Sequence, residues 1–249
     1  MLGIISAMPD EITAIVESLG EATTQTLGRR QYHAGNFGDT AVVVVFSGWD
    51  KVAAAATTTQ LIASYDVTDI VFTGVAGAVR HGLSIGDIVV GTELIQHDMD
   101  ASPIFPRYEV PLLGKALLAT DGELRAQLRT AAEGFLRQDL ALAVPQSPRD
   151  RFRITSPQVV EGVIASGDQF IDSAEEIDAL RRRLPNVACV EMEGAAVAQV
   201  CDEYSIPFGI VRTISDAADE NALHDFPRFS REIAGQYCLG ILARFVQAP

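Results

Sequence analysis

Short apolar runs alternate along the chain with longer segments in which apolar residues recur every three or four positions. The short runs are rich in β-branched residues and predict buried strands, and the longer segments predict helices with one apolar face. The predicted strands cover residues 2–6, 31–36, 40–47, 68–75, 85–94, 159–166, 187–190 and 207–214. The predicted helices cover residues 9–19, 51–65, 121–138, 173–184, 193–204 and about 227–246.

The order of these elements predicts the fold class. Strands alternate with helices late in the chain and are almost entirely apolar there, as parallel strands are when helices cover both faces of the sheet. We therefore predict an α/β fold with a central, mostly parallel mixed sheet flanked by helices. Segments 98–114 and 143–157 hold three prolines each and are predicted to be a loop and an exposed connection. Neither has the composition of a linker, so residues 1–249 are predicted to form a single domain.

Carboxylates follow four of the predicted strands. They are, in chain order, Glu11, Asp168, the pair Glu191 and Glu193, and Asp216. Ligands of open α/β sheets bind where the carboxyl ends of strands meet the following helices, so these acids together predict an active site at that edge. Any one of them alone also fits an ordinary role, capping a turn or complementing a helix dipole.

One cation stands inside an apolar strand. Arg212 lies within the predicted strand 207–214, where an unpaired buried charge is costly and an anionic partner is expected. The carboxylates at the strand ends are the candidates for that partner. A purely structural ion pair is the alternative interpretation.

Composition and charge narrow the class of ligand. The 249 residues are 48% hydrophobic and 21% charged, which is enough apolar material for a core. The net charge of −14 would repel a phosphate backbone and disfavours a nucleic-acid partner. The three cysteines and four histidines lack metal-ligand spacing, and Gly-x-Gly-x-x-Gly is absent after the first strand, so we predict neither metal nor nicotinamide cofactor.

The acidic amino terminus predicts neither signal peptide nor membrane anchor, and the reduced cysteines favour the cytoplasm.

Seven motifs in a fixed order make the chain recognisable. They are GIISAMPDE at 3–11, SGWDKVAAA at 47–55, TGVAG at 73–77, GDIVV at 86–90, SGDQFI at 166–171, VEME at 190–193 and VRTISD at 211–216. Together they resemble the 5′-methylthioadenosine/S-adenosylhomocysteine nucleosidases of the nucleoside phosphorylase superfamily. The resemblance runs from Gly3 to about Phe226 and implies hydrolysis of the N-glycosidic bond of 5′-modified adenosines, without a cofactor.

The resemblance also implies catalytic roles. Glu11 matches the general base that holds the attacking water, and Arg212 helps to place that water. Asp216 matches the acid that protonates N7 of adenine, a poor leaving group until it takes a proton. Since one carboxyl must donate a proton while another accepts one, their environments should separate their pKa values.

Binding roles follow in the same way. Glu193, expected to be ionised, matches the acceptor for the ribose hydroxyls, Phe170 stacks on the base, and the Ile171 backbone reads the Watson–Crick edge of the base. Trp49 and Phe226 line the pocket for the 5′ substituent, and Phe105 falls near a segment that reaches a neighbouring subunit's site, which implies a homodimer. The remaining predicted substrate-binding residues are Met8, Val75 (where many relatives have Ser), Glu191, Met192 (which packs on the sugar) and Ser215.

Three alternatives remain open at this point. A purine nucleoside phosphorylase would need phosphate-binding cations, but residues 7–11 read AMPDE and residues 72–75 read FTGV, which lack both the Arg and the Ser. A related nucleosidase that acts on a futalosine-type substrate or on 5′-deoxyadenosine is hard to separate from the sequence. A catalytically dead binding module is disfavoured, since binding alone does not require Glu11, Glu193 and Asp216 together.

Overall fold

The computed structural model describes residues 1–217 and 222–247. Its strands are β1 Leu2–Ser6, β2 Gly20–Leu27, β3 Arg30–Phe37, β4 Thr40–Phe46, β5 Asp69–Ala78, β6 Ile88–Gln96, β7 Leu118–Ala119, β8 Val159–Ser166, β9 Val187–Glu191 and β10 Phe208–Asp216. Its helices are α1 Pro9–Glu17, α2 Lys51–Ser64, α3 Gly122–Gly134, α4 Leu140–Ala143, α5 Gln146–Arg151, α6 Ala174–Arg183, α7 Gly194–Tyr204, α8 Ala222–Phe229 and α9 Gly235–Gln247. Two π-helical turns, Phe135–Asp139 and Ser230–Ala234, precede α4 and α9.

The strands form one mixed sheet that closes on itself at one end. Strand β5 pairs with β1, β9 and β10, and the path β5–β10–β6–β8–β9 returns to β5. Parallel pairing joins β1 to β4 and β5, β5 to β10, and β8 to β6 and β9. Antiparallel pairing is found in the β2–β3–β4 meander and where β9 and β6 close the ring. Strand β9 runs antiparallel to β5 and pairs with it only near its carboxyl end, where Val190 lies opposite Gly77, which also pairs with Asp216 of β10. The carboxyl ends of β1, β8, β9 and β10 thereby come together around one cavity.

Helices cover both faces of this sheet, as the apolar strand pattern predicts. Side chains alternate between the faces along β4: Val42 and Val44 pack with α3 and α9, whereas Val43 and Val45 pack with α2 and α7. These four residues are buried, so the strand is covered on both faces at its centre. The α/β architecture with a helix-flanked central sheet is therefore confirmed.

Several element bounds differ from the sequence prediction. Gly20 opens strand β2, which the hydrophobic pattern did not predict because nearly all of its residues are exposed. Helix α5 lies within the predicted connection 143–157, and it too has no buried residue. The last helical region begins at Ala222 rather than Pro227, which lies inside α8. Within the described residues, none of the helices combines the length and the apolar character that crossing a bilayer requires.

Candidate active site

A cavity of about 340 Å³ opens at the edge where the four strand ends meet. Its wall is mostly apolar and aromatic, with a few polar groups, as expected of a small-molecule site. The residues that line it are Ala7, Met8, Trp49, Val75, Ala76, Gly77, Gln169, Phe170, Ile171, Val190, Glu191, Met192, Glu193, Ser215, Asp216 and Phe226. Three of these are carboxylic acids, and none of the described lining residues is Lys, Arg or His.

Most of the predicted site residues share this wall. Eleven of them line it: Met8, Trp49, Val75, Phe170, Ile171, Glu191, Met192, Glu193, Ser215, Asp216 and Phe226. Glu11 and Arg212 lie behind the wall and are almost completely buried. Phe105 is half-buried in segment 98–114 and is not part of this chain's cavity. Gln169 was missed, although its place directly before Phe170 in the SGDQFI motif could have identified it.

Glu191 is the most heavily hydrogen-bonded acid of the site. Its oxygens accept bonds from the Arg212 guanidinium at 2.6 Å, from the Gly194 N–H at 2.8 Å, from the Ser166 hydroxyl and from the Glu193 N–H. A carboxylate that accepts the first amides of α7 complements the positive end of the helix dipole. Gly194 permits this approach, since a Cβ there would lie 3.1 Å from Glu191 Oε1 and 2.8 Å from the Ile210 side chain.

Arg212 sits on β10 with its whole side chain buried. Its guanidinium carbon lies 3.9 Å from the ring centre of Phe72, a cation–π distance, and its Nη2 donates to Glu191. The neighbouring strand offers room because residue 74 is glycine: a Cβ at Gly74 would come within 3.0 Å of Arg212 Nη1. The anionic partner expected for this buried cation is thus found, and it is Glu191.

Glu193 projects from the amino end of α7 into the cavity. The Asp50 N–H donates a hydrogen bond to Glu193 Oε1 at 3.2 Å. Asp50 adopts a φ of 89°, in a region that favours glycine, and its carboxylate accepts the Ala53 N–H and so caps α2. Burial, then the nearby charge of Glu191, raises the pKa of Glu193 to about 8. Burial beside Glu191 thus favours the protonated form of Glu193, whereas the sequence leads to the expectation of an ionised carboxylate.

Glu11 occupies the junction between β1 and α1. It is the third residue of α1 and is 1% exposed, and the Ser6 hydroxyl at the end of β1 donates a hydrogen bond to its Oε2. The same hydroxyl oxygen accepts the Met8 N–H at 3.2 Å, so the turn that carries Met8 into the cavity wall also fixes Glu11. The strand end thereby places a buried acid directly behind the cavity.

Asp216 ends β10, which lies on the other side of β5 from β1. It is 4% exposed and accepts a 2.7 Å hydrogen bond from the Ser215 hydroxyl, which orients the carboxyl group. Strand β10 pairs with β5 here, and the register shifts between Ile214 and Asp216. An irregularity of this kind re-aims a side chain at a strand end.

Aromatic side chains border the open part of the cavity. The Trp49 indole N–H donates to the Ala7 carbonyl at 3.0 Å, although the side chain is 58% exposed. The rings of Phe170 and Phe226 lie 5.8 Å apart at 60°, and Phe170 is 40% exposed. Exposed aromatic faces beside buried carboxyl groups form a surface on which a planar heterocycle can stack.

Asp168, the remaining strand-end acid, does not line the cavity. It binds the backbone N–H of Lys51 at 2.9 Å and lies 3.8 Å from the Lys51 ammonium. Among the described residues, no group of three His, Cys, Asp or Glu side chains is arranged to hold a metal ion.

An α/β sheet with an acid-bearing cavity at its strand ends defines a small-molecule enzyme that works by acid–base chemistry. Comparison with known proteins makes the class specific. The model of the Phosphorylase superfamily matches residues 1–247. A 5′-methylthioadenosine/S-adenosylhomocysteine nucleosidase of Bacillus subtilis (strain 168) is 31% identical over 234 residues, which cover 94% of this chain and 93% of that protein.

Solved structures agree with this relationship. The nucleosidase of the same name from Neisseria meningitidis, in complex with methylthio-immucillin-A, aligns with a TM-score of 0.86 at 32% identity, covering 99% of this chain and 98% of that chain. The futalosine hydrolase of Helicobacter pylori strain 26695 aligns with a TM-score of 0.82 at 33% identity, covering 99% and 97%. The chain belongs to the phosphorylase superfamily and, within it, to the 5′-methylthioadenosine/S-adenosylhomocysteine nucleosidases.

Proposed function

We propose that the protein hydrolyses the N-glycosidic bond of 5′-methylthioadenosine and S-adenosylhomocysteine and releases adenine, with water as the nucleophile. The observation that carries the proposal is the cavity wall itself. It presents Glu193 and Asp216 together with stacking aromatic rings, and no described lining residue is a cation that could hold phosphate. The sequence relationship to nucleosidases supports the same reaction.

Asp216 is the proposed general acid. Protonation of adenine N7 turns the base into a leaving group, and a positioned acid contributes roughly 10²–10⁴-fold to such a step. The Ser215 hydroxyl, 2.7 Å from Asp216 Oδ2, fixes the direction of that carboxyl. As the bond to the base breaks, C1′ gains positive charge, and a nearby carboxylate stabilises that charge.

Glu11 is the proposed general base. Glu11 does not line the cavity itself, but Met8, which is bonded to the same Ser6 hydroxyl, does. A water held between Glu11 and the cavity would face the sugar from the side of β1.

Arg212 is bound to Glu191, and Glu191 already accepts four kinds of protein donor. We infer that Arg212 and Glu191 act mainly as a fixed support for Glu193 and that contact with substrate is left to Glu193.

Glu193 is the proposed partner of the ribose hydroxyls. Its two carboxyl oxygens lie at the head of α7 in the cavity wall, where they can bond a pair of neighbouring hydroxyl groups. Phe170 then stacks on the base, Met192 packs on the sugar, and Trp49 with Met8 and Phe226 borders the 5′ substituent. Val75, 7% exposed, supplies an apolar contact to this wall.

A homodimer is the proposed assembly, with segment 98–114 completing the partner's site. Ile104 is 82% exposed and Leu112 is 92% exposed in that segment, and Phe105 lies between them. Exposed apolar residues grouped in this way often mark an interface. Sedimentation equilibrium of the wild type and of Ile104→Glu tests the dimer, since a fully active monomer would contradict it.

The three cysteines are buried and unpaired, which favours the reducing cytoplasm as the location.

A panel of nucleosides tests the function. Adenine release is measured by liquid chromatography for 5′-methylthioadenosine, S-adenosylhomocysteine, 5′-deoxyadenosine, adenosine and a futalosine-type nucleoside. The proposal predicts the highest kcat/KM for one of the first two compounds. Preference for the futalosine-type substrate would move the protein to the related hydrolases, and absence of base release from every compound would contradict a nucleosidase.

A further inference from the structure

Lys51, the first residue of α2, lies at the centre of a polar cluster just outside the cavity. Its ammonium nitrogen is 2.6 Å from Asp98 Oδ1, 3.2 Å from Gln96 Oε1 and 3.8 Å from Asp168 Oδ2. The side chain is 16% exposed. The three N–H bonds of the ammonium group therefore face three acceptors that come from the ends of two strands, β6 and β8.

Backbone groups close this cluster into a ring. The Lys51 N–H donates to Asp168 Oδ1 at 2.9 Å, and the Asp168 N–H donates to Asp98 Oδ2 at 2.9 Å. Burial alone would raise the pKa of Asp98, but the hydrogen bonds from Lys51 and Asp168 outweigh it, so the net pKa is lowered. Lys51, Asp98 and Asp168, here called the clasp, form a charged and hydrogen-bonded unit.

The clasp joins two segments that carry opposite parts of the cavity wall. Asp168 directly precedes Gln169 and Phe170, which line the cavity. On the other side, Lys51 directly follows Asp50, whose N–H holds Glu193 at 3.2 Å. A shift of the clasp would therefore move the Phe170 ring relative to the Glu193 carboxyl.

We propose that Lys51 is a positioning residue for the reaction, which sets the distance between the base-stacking segment at Phe170 and the hydroxyl-binding Glu193. The inference rests on the proposed function, because it takes the base to bind at Phe170 and the sugar at Glu193. A compact ammonium group suits the role, since it bonds acceptors in three directions, whereas the planar fork of arginine presents its donors in one plane.

The two lysines of the sequence provide a matched pair of variants. Lys51→Met keeps the length and apolar stem of the side chain and removes its charge and donors. Lys115→Met is the control, since Lys115 also forms an ion pair, 2.7 Å from Asp202 Oδ1, but its side chain is 49% exposed and it does not line the cavity. Adenine affinity is measured by isothermal titration calorimetry, KM and kcat with 5′-methylthioadenosine, and stability by thermal melting.

Lys51→Met is expected to weaken adenine binding and to raise KM by roughly ten- to a hundredfold, because a displaced Phe170 ring would lose its stacking on the base. The effect on kcat should be smaller than that on KM, because Asp216 lies on β10 and Glu11 on α1, and neither element carries a residue of the clasp. Lys115→Met should match the wild type in both affinity and KM. A lower melting temperature with unchanged adenine affinity per folded molecule would overturn the inference, because a merely structural ion pair predicts that result.

A second variant keeps the test decisive should Lys51→Met not fold. Asp98→Asn preserves the shape of the clasp and weakens its ion pair, so it should raise KM in the same direction by a smaller factor. An Asp98→Asn enzyme with wild-type KM and adenine affinity would overturn the inference. Failure of the wild type to bind adenine at all would overturn the proposed function and the inference with it, whereas equal adenine affinity of wild type and Lys51→Met overturns the inference alone.

Discussion

Arg212 Nη2 donates a 2.6 Å hydrogen bond to Glu191 Oε2, and the two side chains are 0% and 3% exposed. This ion pair connects β10, which ends in Asp216, with β9, which leads into Glu193. Transferring two charges from water into the protein interior costs free energy. The pair is tolerated because further hydrogen-bond donors also bind the Glu191 carboxylate. The pair therefore fixes the relative position of the two strand ends that carry the proposed acid and the proposed sugar ligand.

Breaking this pair from one side should be costly. Arg212→Met leaves the Glu191 charge buried without its cation, so we expect the free energy of unfolding to fall by about 3–5 kcal/mol. Urea unfolding followed by circular dichroism measures the change.

The double variant Arg212→Met with Glu191→Gln is the control for that prediction. The amide that replaces the carboxylate has no charge to leave uncompensated, and its oxygen can still accept the Gly194 N–H. The double variant should be more stable than Arg212→Met alone. If the second substitution lowers stability further, the buried charge is not the cause of the loss.

The raised pKa of Glu193 predicts a pH-dependent stability. This pKa is raised from an ordinary value of 4.5 to about 8, so between these pH values the folded protein holds a proton that the unfolded chain has lost. Folding stability from this group is thus complete below pH 4.5 and is lost as the pH rises towards 8. Glu193→Gln cannot ionise, so its melting temperature relative to the wild type should increase across this window.

Thermal melting of both proteins between about pH 5 and about pH 8.5 measures this difference, since groups common to both proteins cancel. A constant difference in melting temperature would show that Glu193 has an ordinary pKa. Activity provides no substitute here, because the same variant removes the proposed ligand of the ribose hydroxyls.

The Phe170 ring should contribute to binding rather than to folding. Stacking of a base on an aromatic side chain is worth about 1–3 kcal/mol by alanine substitution, so Phe170→Ala should raise KM and weaken adenine binding by roughly five- to a hundredfold. Its ring is 40% exposed, so stability should change little. Tyr204→Ala, with a side chain 50% exposed away from the cavity wall, is the control and should leave KM unchanged.

The sequence allowed the buried parts of the fold to be predicted and left out the exposed ones. Strands such as β1 and β10 are buried at every position because the sheet is covered on both faces, and their apolar runs therefore mark them in the sequence. Strand β2 has eight residues of which seven are exposed, so no alternation of apolar and polar residues marks it. The closure of the sheet through β9 and β5 depends on pairing between distant strands, for which a single sequence carries no local signal.

The site could be predicted at the level of residues but not of contacts. Eleven of the residues that the strand-end acids, the motif order and the resemblance indicate line the same cavity. The same reasoning treated Asp168 as a further active-site acid, whereas the structure places it outside the cavity with Lys51. The raised pKa of Glu193 could not be predicted either, because the effect of burial beside Glu191 depends on distances that only the folded chain sets.

Replacing Glu11 and Asp216 by their uncharged amides should lower kcat for different reasons. Asp216→Asn keeps the shape of the acid but cannot deliver a proton, so kcat should fall by at least roughly 10²–10⁴-fold. Glu11→Gln should also lower kcat while a transition-state analogue still binds, since the ligand contacts at Phe170 and Glu193 are intact. Steady-state kinetics and calorimetry on preparations with matched melting temperatures measure both. Near-normal turnover in both variants would contradict the assigned chemistry.

The identity of the sugar product tests the central claim, that water attacks C1′ after Asp216 activates the base. 5′-Methylthioadenosine is incubated with the wild type in buffers with and without phosphate, and the products are identified by mass spectrometry and phosphorus NMR, with Asp216→Asn as the control. We predict adenine and free 5-methylthioribose at the same rate in both buffers, and almost none of either product from Asp216→Asn. Formation of 5-methylthioribose 1-phosphate, or adenine release that requires phosphate, would contradict the account.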